Sequence, residues 1–373
     1  MSIRIKHKAN KYNIIYNLYK LKLQVLSWAV FMALLYVALP CLAAADLAAD
    51  TAEELTTFSF YLENDYFVGD DSQYTNGLKF AWSSPVHTGY PKEVWPHRWF
   101  YPVIRILPFD DFLDSAMEKN ITLSFGQNIY TPEDIEETDL IEDDRPYAGI
   151  TYLSMGFHSR LESQMKTLEF YVGLVGPQSY AEECQQAVHK IVKDIEPAGW
   201  DNQLKNEPVL GIVYEHKMKI MQLGDGNGFG IDGILNNGMG LGNANTYYNL
   251  GLNMRFGYNI PNDFGDFPIR PATSINAAFG SRDPRYSIKH RFGIYLFAST
   301  EARAILRNIF LDGNTFTDSH SVDKKLLVAD MAAGIGILAG KGQFCFAYVR
   351  RTREFETQKE MEEFGSLSFS ISY

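Results

Sequence analysis

The chain has 373 residues, a formal net charge of −11, and 14% aromatic residues, with 22 Tyr and 25 Phe. Such acidity gives no general affinity for nucleic acid, and three cysteines are too few for a disulfide framework.

Residues 1–45 read as a secretory signal. Arg4, Lys6, Lys8, Lys11, Lys20 and Lys22 precede an apolar run from Val25 to Leu39, and no acid occurs before Asp46. Small residues follow in Cys41-Leu-Ala43-Ala-Ala45, where a signal peptidase reads. The rival readings fit less well. An anchoring helix needs about 20 apolar residues, and Pro40 suits a lipoprotein site at Cys41 poorly. Cleavage after Ala45 removes six positive charges, taking the net charge from −11 to −17, and leaves 46–373 as one domain.

That remainder contains no uninterrupted apolar run of membrane-spanning length; Leu326–Gly340 is broken by Asp330. An exported chain rich in Tyr and Phe and lacking a spanning helix is to be tested as a transmembrane β-barrel. The test is alternation with a period of two. In chain order, Phe58/Phe60/Leu62, Leu78/Phe80/Trp82, Phe170/Val172/Leu174 and Phe344/Phe346/Tyr348 alternate with other residues. At the C-terminus, Leu367, Phe369, Ile371 and Tyr373 alternate with serines. A final strand ending in an aromatic resembles the assembly signal of outer-membrane barrels. A soluble β-sandwich alternates too, but the signal and the aromatic end favour the barrel.

The pattern predicts an all-β, twelve-stranded antiparallel barrel. Its strands fall near 56–65, 73–84, 120–130, 147–160, 166–176, 209–221, 227–238, 245–258, 289–306, 324–339, 343–355 and 364–373. An even count leaves both termini periplasmic. The connections 66–72, 131–146, 177–208, 239–244, 307–323 and 356–363 then lie outside the cell. Two periplasmic connections, 85–119 and 259–288, are long. The first, rich in Pro, Trp and Phe, suits the membrane interface.

One extracellular loop predicts a helix. Ser179 and Glu182 have the spacing of a capping box. Tyr180, Cys184, Ala187, Val188, Ile191, Val192 and Ile195 form an apolar face expected to pack on the barrel wall. Pro197 and Gly199 stop the helix. Cys184, in this helix, and Cys345, in a strand, read as buried small apolar residues.

Four polar segments gather at the extracellular rim. They are Glu63-Asn64-Asp65, Tyr74-Thr75-Asn76-Gly77, Asp143-Asp-Arg145-Pro-Tyr147-Ala-Gly149, and His189 on the loop helix. His189 is the candidate base, because an imidazole can take a proton from water near neutral pH. The bland reading is a surface histidine on a helix. Asn64, Asp65 and Thr75 offer hard oxygen ligands suited to Ca²⁺ rather than zinc; here the bland reading is a solvated turn. Strand phase complicates the set. Asp65 and Thr75 share the lumen-facing phase with Lys79 and Ser83, whereas Asn64 shares that of Phe58 and Leu62. Only twist or a bulge would unite them. His158-Ser159 does not match the H-x-S-N-G motif of outer-membrane phospholipases of the A type. The acidic run Glu133–Asp144 reads as a solvated loop.

With these residues in view, the chain resembles the outer-membrane lipid A 3′-O-deacylases. The likeness rests on Glu63-Asn-Asp65, Tyr74-Thr-Asn-Gly77, Gln127-Asn-Ile-Tyr-Thr-Pro132, Asp144-Arg-Pro-Tyr-Ala-Gly149 and Val175-Gly-Pro177. It continues through Val188-His189 and Gly199-Trp-Asp-Asn-Gln-Leu-Lys-Asn-Glu207. The resemblance implies a twelve-stranded barrel with its site between the wall and the loop helix. It implies Ca²⁺ at Asn64, Asp65 and Thr75 as oxyanion stabiliser, and His189 activating water, as in secreted phospholipases A2. The implied substrate is the 3′-linked acyl chain of lipid A in lipopolysaccharide, among the lipids of the Gram-negative outer membrane. A monomer is expected. One departure stands out. Some members carry a lysine before the D-R motif, and Ile121–Asp144 has none; Lys79 and Arg145 are the candidates to replace it at a phosphate. Two rival functions remain: a phospholipase, and a non-catalytic pore or surface-binding barrel.

Overall fold

The computed structural model describes residues 55–67, 73–93, 97–105, 114, 116–192, 195–224, 228–265 and 292–373. The signal segment and most of 259–288 lie outside this set.

Every predicted strand is present. In chain order they are β1 (Thr57–Asn64), β2 (Gln73–Ser83), a two-residue β3 (His87–Thr88), β4 (Glu118–Thr131), β5 (Ala148–Leu161), β6 (Gln164–Val175), β7 (Glu207–Leu223), β8 (Phe229–Gly242), β9 (Asn245–Tyr258), β10 (Phe292–Asn308), β11 (Leu327–Ala339), β12 (Gly342–Arg351) and β13 (Glu362–Ser372). Neighbours pair antiparallel. β2 joins β4, and β1 joins β13 with Thr57 opposite Ser372, so twelve long strands close on themselves. Closure leaves no bare strand edge in the bilayer, where an unpaired backbone group costs several kcal/mol, roughly.

Alternation sorts the two faces. Thr57, Ser59, Tyr61 and Glu63 are buried inside, whereas Phe58 is exposed on the outer face. The seam between first and last strands is a hydroxyl ladder: Thr57 Oγ1 lies 2.9 Å from Ser372 Oγ, and Ser59 Oγ 2.8 Å from Ser370 Oγ.

The lumen is filled by polar networks. Arg255 grips Asp232 in a two-pronged bond, and Arg303 and Arg351 share Asp330. Asn236 and Asn249 donate to Glu301. Nearer the extracellular end, Tyr130 stacks on Phe310 at 4.1 Å, and Tyr74 packs on Tyr130 and Phe364. Each of these buried arginines has a carboxylate partner, as burial of ions demands. A 70 Å³ cavity lies among Tyr74, Tyr130, Arg303 and Arg351. Among the described residues these networks occupy the interior of the barrel.

Two helices lie against the outer wall. Helix α1 (His97–Ile104) belongs to the connection between β2 and β4. It covers outward-facing Ile121, Phe157 and Leu168 near the periplasmic ends of their strands, with Phe100 5.6 Å from Phe157. The helix covers part of the outer wall within the connection whose aromatic content suits a membrane interface. Burial, and next His87 beside it, lower the His97 pKa to about 4. Helix α2 (Ala181–Val192) sits at the extracellular ends of β4 and β5. A short α3 (Ile309–Asp312) is capped by the Asn308 side chain, which accepts from the Phe310 N–H.

Candidate active site

The first hairpin is fixed by one asparagine. Asn64 Oδ1 accepts the Tyr66 N–H at 2.8 Å, and its Nδ2 donates to the Thr75 carbonyl at 2.8 Å. An Asx turn of this kind suits Asn at the end of a strand. It starts the 3₁₀ turn Asp65–Phe67, in which the Asp65 carboxylate is fully buried.

Thr75 corrects the expected strand phase. β2 bulges against β4 between Tyr74 and Asn76. The extra residue shifts the phase by one, so Tyr74 continues the lumen-facing row. Thr75 is released from that row, and its hydroxyl meets that of Thr131 at 2.8 Å. Thr131 shares the outward phase of Ile129. The bulge thereby brings Thr75 to the side on which Asn64 lies.

Helix α2 departs from the sequence reading in two respects. The capping box does not form: Ser179 falls in a preceding 3₁₀ turn, and Tyr180 is the residue before the helix, with φ of 56°. Glu182 instead accepts from Gln186 and Gln203. The face against the wall is also not the apolar stripe. The buried positions are Ala181, Gln185 and His189, four residues apart, while Ile191 is 80% exposed and Cys184 is exposed as well. Cys184 is thus not a core residue, whereas Cys345 is buried in the lumen beside Tyr295.

Close approach of α2 to the wall depends on Gly149. A Cβ there would fall under 3.0 Å from both Ala181 Cβ and Ser179 Oγ. Gln127 and Thr151, on the outer wall, both donate to the Ser179 carbonyl at 2.7 Å. Ile129, Tyr147, Ala181 and Trp200 complete the contact.

His189 is 1% exposed. Its Nδ1 lies 2.5 Å from the Ile195 carbonyl, which only accepts, so Nδ1 carries the proton. Nε2 then holds the lone pair; it is buried without a hydrogen-bond partner among the described residues. The imidazole meets the Tyr66 ring edge-on at 6.0 Å. Tyr66 follows Asp65 directly, so the histidine and the first-hairpin turn adjoin at one rim. Gln185, one helical turn before His189, accepts the Trp200 indole N–H at its Oε1 at 2.8 Å. Its Nε2 is likewise buried without a partner among the described residues. Sequence reasoning missed Tyr66, Gln185, Trp200 and Gly149. The i, i+4 spacing of Gln185 and His189 was the available signal.

Other sequence candidates fall elsewhere. Arg145 is buried, ion-paired with Glu354 at 2.6 Å and set over the Tyr130 and Phe355 rings. Lys79 is buried in the lumen-facing row of β2. Both cations thus belong to the interior. His158 bonds Thr122 and Thr167, while Ser159 accepts from Lys119. Adjacent on one strand, His158 and Ser159 point to opposite faces and form no dyad.

Asn64, Asp65 and Thr75 provide one buried carboxylate and neutral oxygens on one hairpin. That donor set fits a hard cation in kind. Among the described residues no group of three or more His, Cys, Asp or Glu could hold a metal.

Comparison with known proteins gives one family. The family model described as "Outer membrane protein LpxR" matches residues 30–373. Among solved structures, the chain is similar to LpxR from Salmonella typhimurium, with TM-score 0.63 and 17% identity, covering 84% of this chain and 99% of that one. It is more distantly similar to the β domain of the Bordetella autotransporter BrkA, with TM-score 0.43 and 9% identity over 86% of this chain and all of that one. No curated protein sequence matches significantly.

Proposed function

The chain belongs to the LpxR family of outer-membrane lipid A 3′-O-deacylases, and from that premise we propose that His189 activates water against the 3′ acyl ester. One observation carries this reading: the buried imidazole has Nδ1 committed to Ile195 and Nε2 without a partner among the described residues, and its ring meets that of Tyr66, the residue after Asp65.

The orientation suits a general base. The Nδ1–H···O bond fixes both ring and tautomer, leaving Nε2 to take the proton of a water. The hydroxide equivalent adds to the ester carbonyl, and collapse of the adduct releases a fatty acid and the sugar hydroxyl. His189 returns its proton to that leaving oxygen. No serine or covalent intermediate is required. Gln185 Nε2 is a neutral donor one turn away, positioned to hydrogen-bond the adduct's oxygen or the attacking water. A calcium ion held by Asp65, Asn64 and Thr75 would polarise the carbonyl and steady the oxyanion. Burial of these groups strengthens each interaction, since charges interact more strongly out of water. The site's place on the outer wall gives a lipid substrate a lateral route, with no need to pass through the filled lumen.

Mass spectrometry of lipid A from expressing cells tests the assignment. Wild type removes the 3′ acyl chain; His189→Ala and Asp65→Asn leave it in place, and a calcium chelator suppresses the wild-type reaction in isolated membranes. Equal deacylation by His189→Ala and wild type would falsify the role of the imidazole. Offering a glycerophospholipid alongside lipid A separates this activity from a phospholipase.

A further inference from the structure

We propose that helix α2 is itself membrane-embedded, lying in the plane of the outer-leaflet surface with one side among acyl chains. The partner is the hydrocarbon edge of the lipid layer.

Three sides of the helix carry the argument. At about 100° per residue, Ala181, Gln185 and His189 form one stripe, and it is this stripe that is buried on the wall. To one flank lie Glu182, Glu183, Gln186 and Lys190. To the other lie Cys184, Ala187, Val188 and Ile191, with Tyr180 just before the helix. This apolar flank is open: Tyr180 is 65% exposed and Ile191 80%. A helix laid against a vertical wall has one flank up and one flank down. Here one is charged and the other apolar, as in a helix resting at a membrane surface.

The surroundings identify what meets the apolar flank. The wall that α2 touches continues into the exposed outward residues Phe125, Leu153, Val172 and Leu174 of β4–β6. In an outer-membrane barrel these face lipid. In the proposed setting the apolar flank of α2 extends this lipid-facing band. On the same wall, α1 packs over Ile121, eight positions before Ile129 on β4, with Ile129 lying under α2. At about 3.3 Å per residue the two helices are separated by roughly 26 Å along the strand. For strands tilted by about 35–45° that is roughly 20 Å of height, within an apolar band about 25 Å tall, so one helix lies toward each edge of the band. Through α2, the base at His189 is held at the depth where ester bonds of lipids lie.

The native thiol reports on this directly, because Cys184 lies on the apolar flank and Cys345 is buried. The full mature chain, spin-labelled at Cys184, is placed in phosphatidylethanolamine/phosphatidylglycerol bilayers containing lipopolysaccharide. Collision with oxygen, which concentrates in hydrocarbon, is compared with collision with a water-soluble nickel chelate. The paired variant Glu183→Cys/Cys184→Ser carries the label on the charged flank. The expected result is an oxygen-to-nickel ratio several-fold higher at 184 than at 183. A second label, in Ile191→Cys/Cys184→Ser, should repeat the value at 184. Equal ratios at 183 and 184, a higher nickel accessibility at 184, or shielding of 184 from both reagents each overturn the proposal. Heat-modifiable migration confirms that each labelled barrel is folded.

Discussion

Replacing Gly149 by alanine tests whether the helix that carries His189 must touch the barrel. The new methyl would lie under 3.0 Å from Ala181 Cβ and Ser179 Oγ, whereas packed carbons sit about 3.5–4.0 Å apart. Neither side yields easily. Gly149 lies in a strand paired on both sides, and the Ser179 carbonyl is held by Gln127 and Thr151. The helix start must therefore back away by about 1.5 Å to bring Ala181 out to packing distance. Overpacking of this kind costs about 1–3 kcal/mol locally, far too little to open a closed barrel. Its effect on catalysis is larger, since a shift of about 1 Å in a reacting group costs about 100-fold. The assay is the rate of 3′ deacylation of purified lipid A in detergent, alongside heat-modifiable migration. The expected outcome is a rate about 100-fold lower with unchanged barrel migration. Gly149→Ala/Ala181→Gly removes one of the two clashing atoms and should recover part of the loss. Full activity in the single variant would refute the claim that this contact sets the histidine's position.

Further outcomes follow from other contacts. Gln185→Ala should lower kcat by about 100-fold with little change in KM, as loss of a single oxyanion donor does; steady-state kinetics on the same substrate decides. Glu354→Leu strands the Arg145 guanidinium in the interior and should cost about 3–5 kcal/mol, read as a lower unfolding midpoint. For Glu354, burial raises the carboxyl pKa, but Arg145 and Arg351 outweigh it and hold the pKa below its ordinary value. The stabilisation is accordingly present above the unfolded carboxylate's pKa of about 4.3 and fades as pH falls through the folded value. His97 runs the same way for a base. The unfolded imidazole takes its proton near 6.5, the folded one only at about 4, so acid weakens the folded form between those values. Nuclear magnetic resonance of the His97 ring should show titration near 4; a midpoint near neutrality would contradict its burial against Ser84 and His87.

The strands were legible because the barrel imposes two unlike environments on alternate residues, as Ser366 to Tyr373 show without help from packing. The site was legible in part. Asn64, Asp65, Thr75 and His189 stand out as polar groups that the parity of strands puts at one rim. What sequence could not convey was phase. A single inserted residue at Thr75 leaves regular alternation on both sides of itself, so the bulge is silent. Amphipathicity in α2 revealed an apolar face but not which medium that face meets; the soluble-protein habit of turning it inward misplaced Cys184 and Ile191. Ser179 and Glu182 had the spacing of a cap, but Gly176 and Pro177 start a tighter turn first. Gly149 appears in sequence as one more small strand residue, and its purpose emerges only when Ala181 is seen against it.

The seam between β1 and β13 bears on how this molecule comes into being. Thr57 and Ser372 touch across a separation of 315 positions, nearly the whole exported chain. Loops of that length close slowly, and until they do, two strand borders remain open to water, lipid or another copy of the chain. The strand β13 must be made before β1 can find its mate, so the cylinder is sealed only after Ser372 has emerged. Removing a handful of terminal residues would therefore leave an unsealed sheet for the cell's quality control to destroy, even though every group proposed for hydrolysis is still encoded.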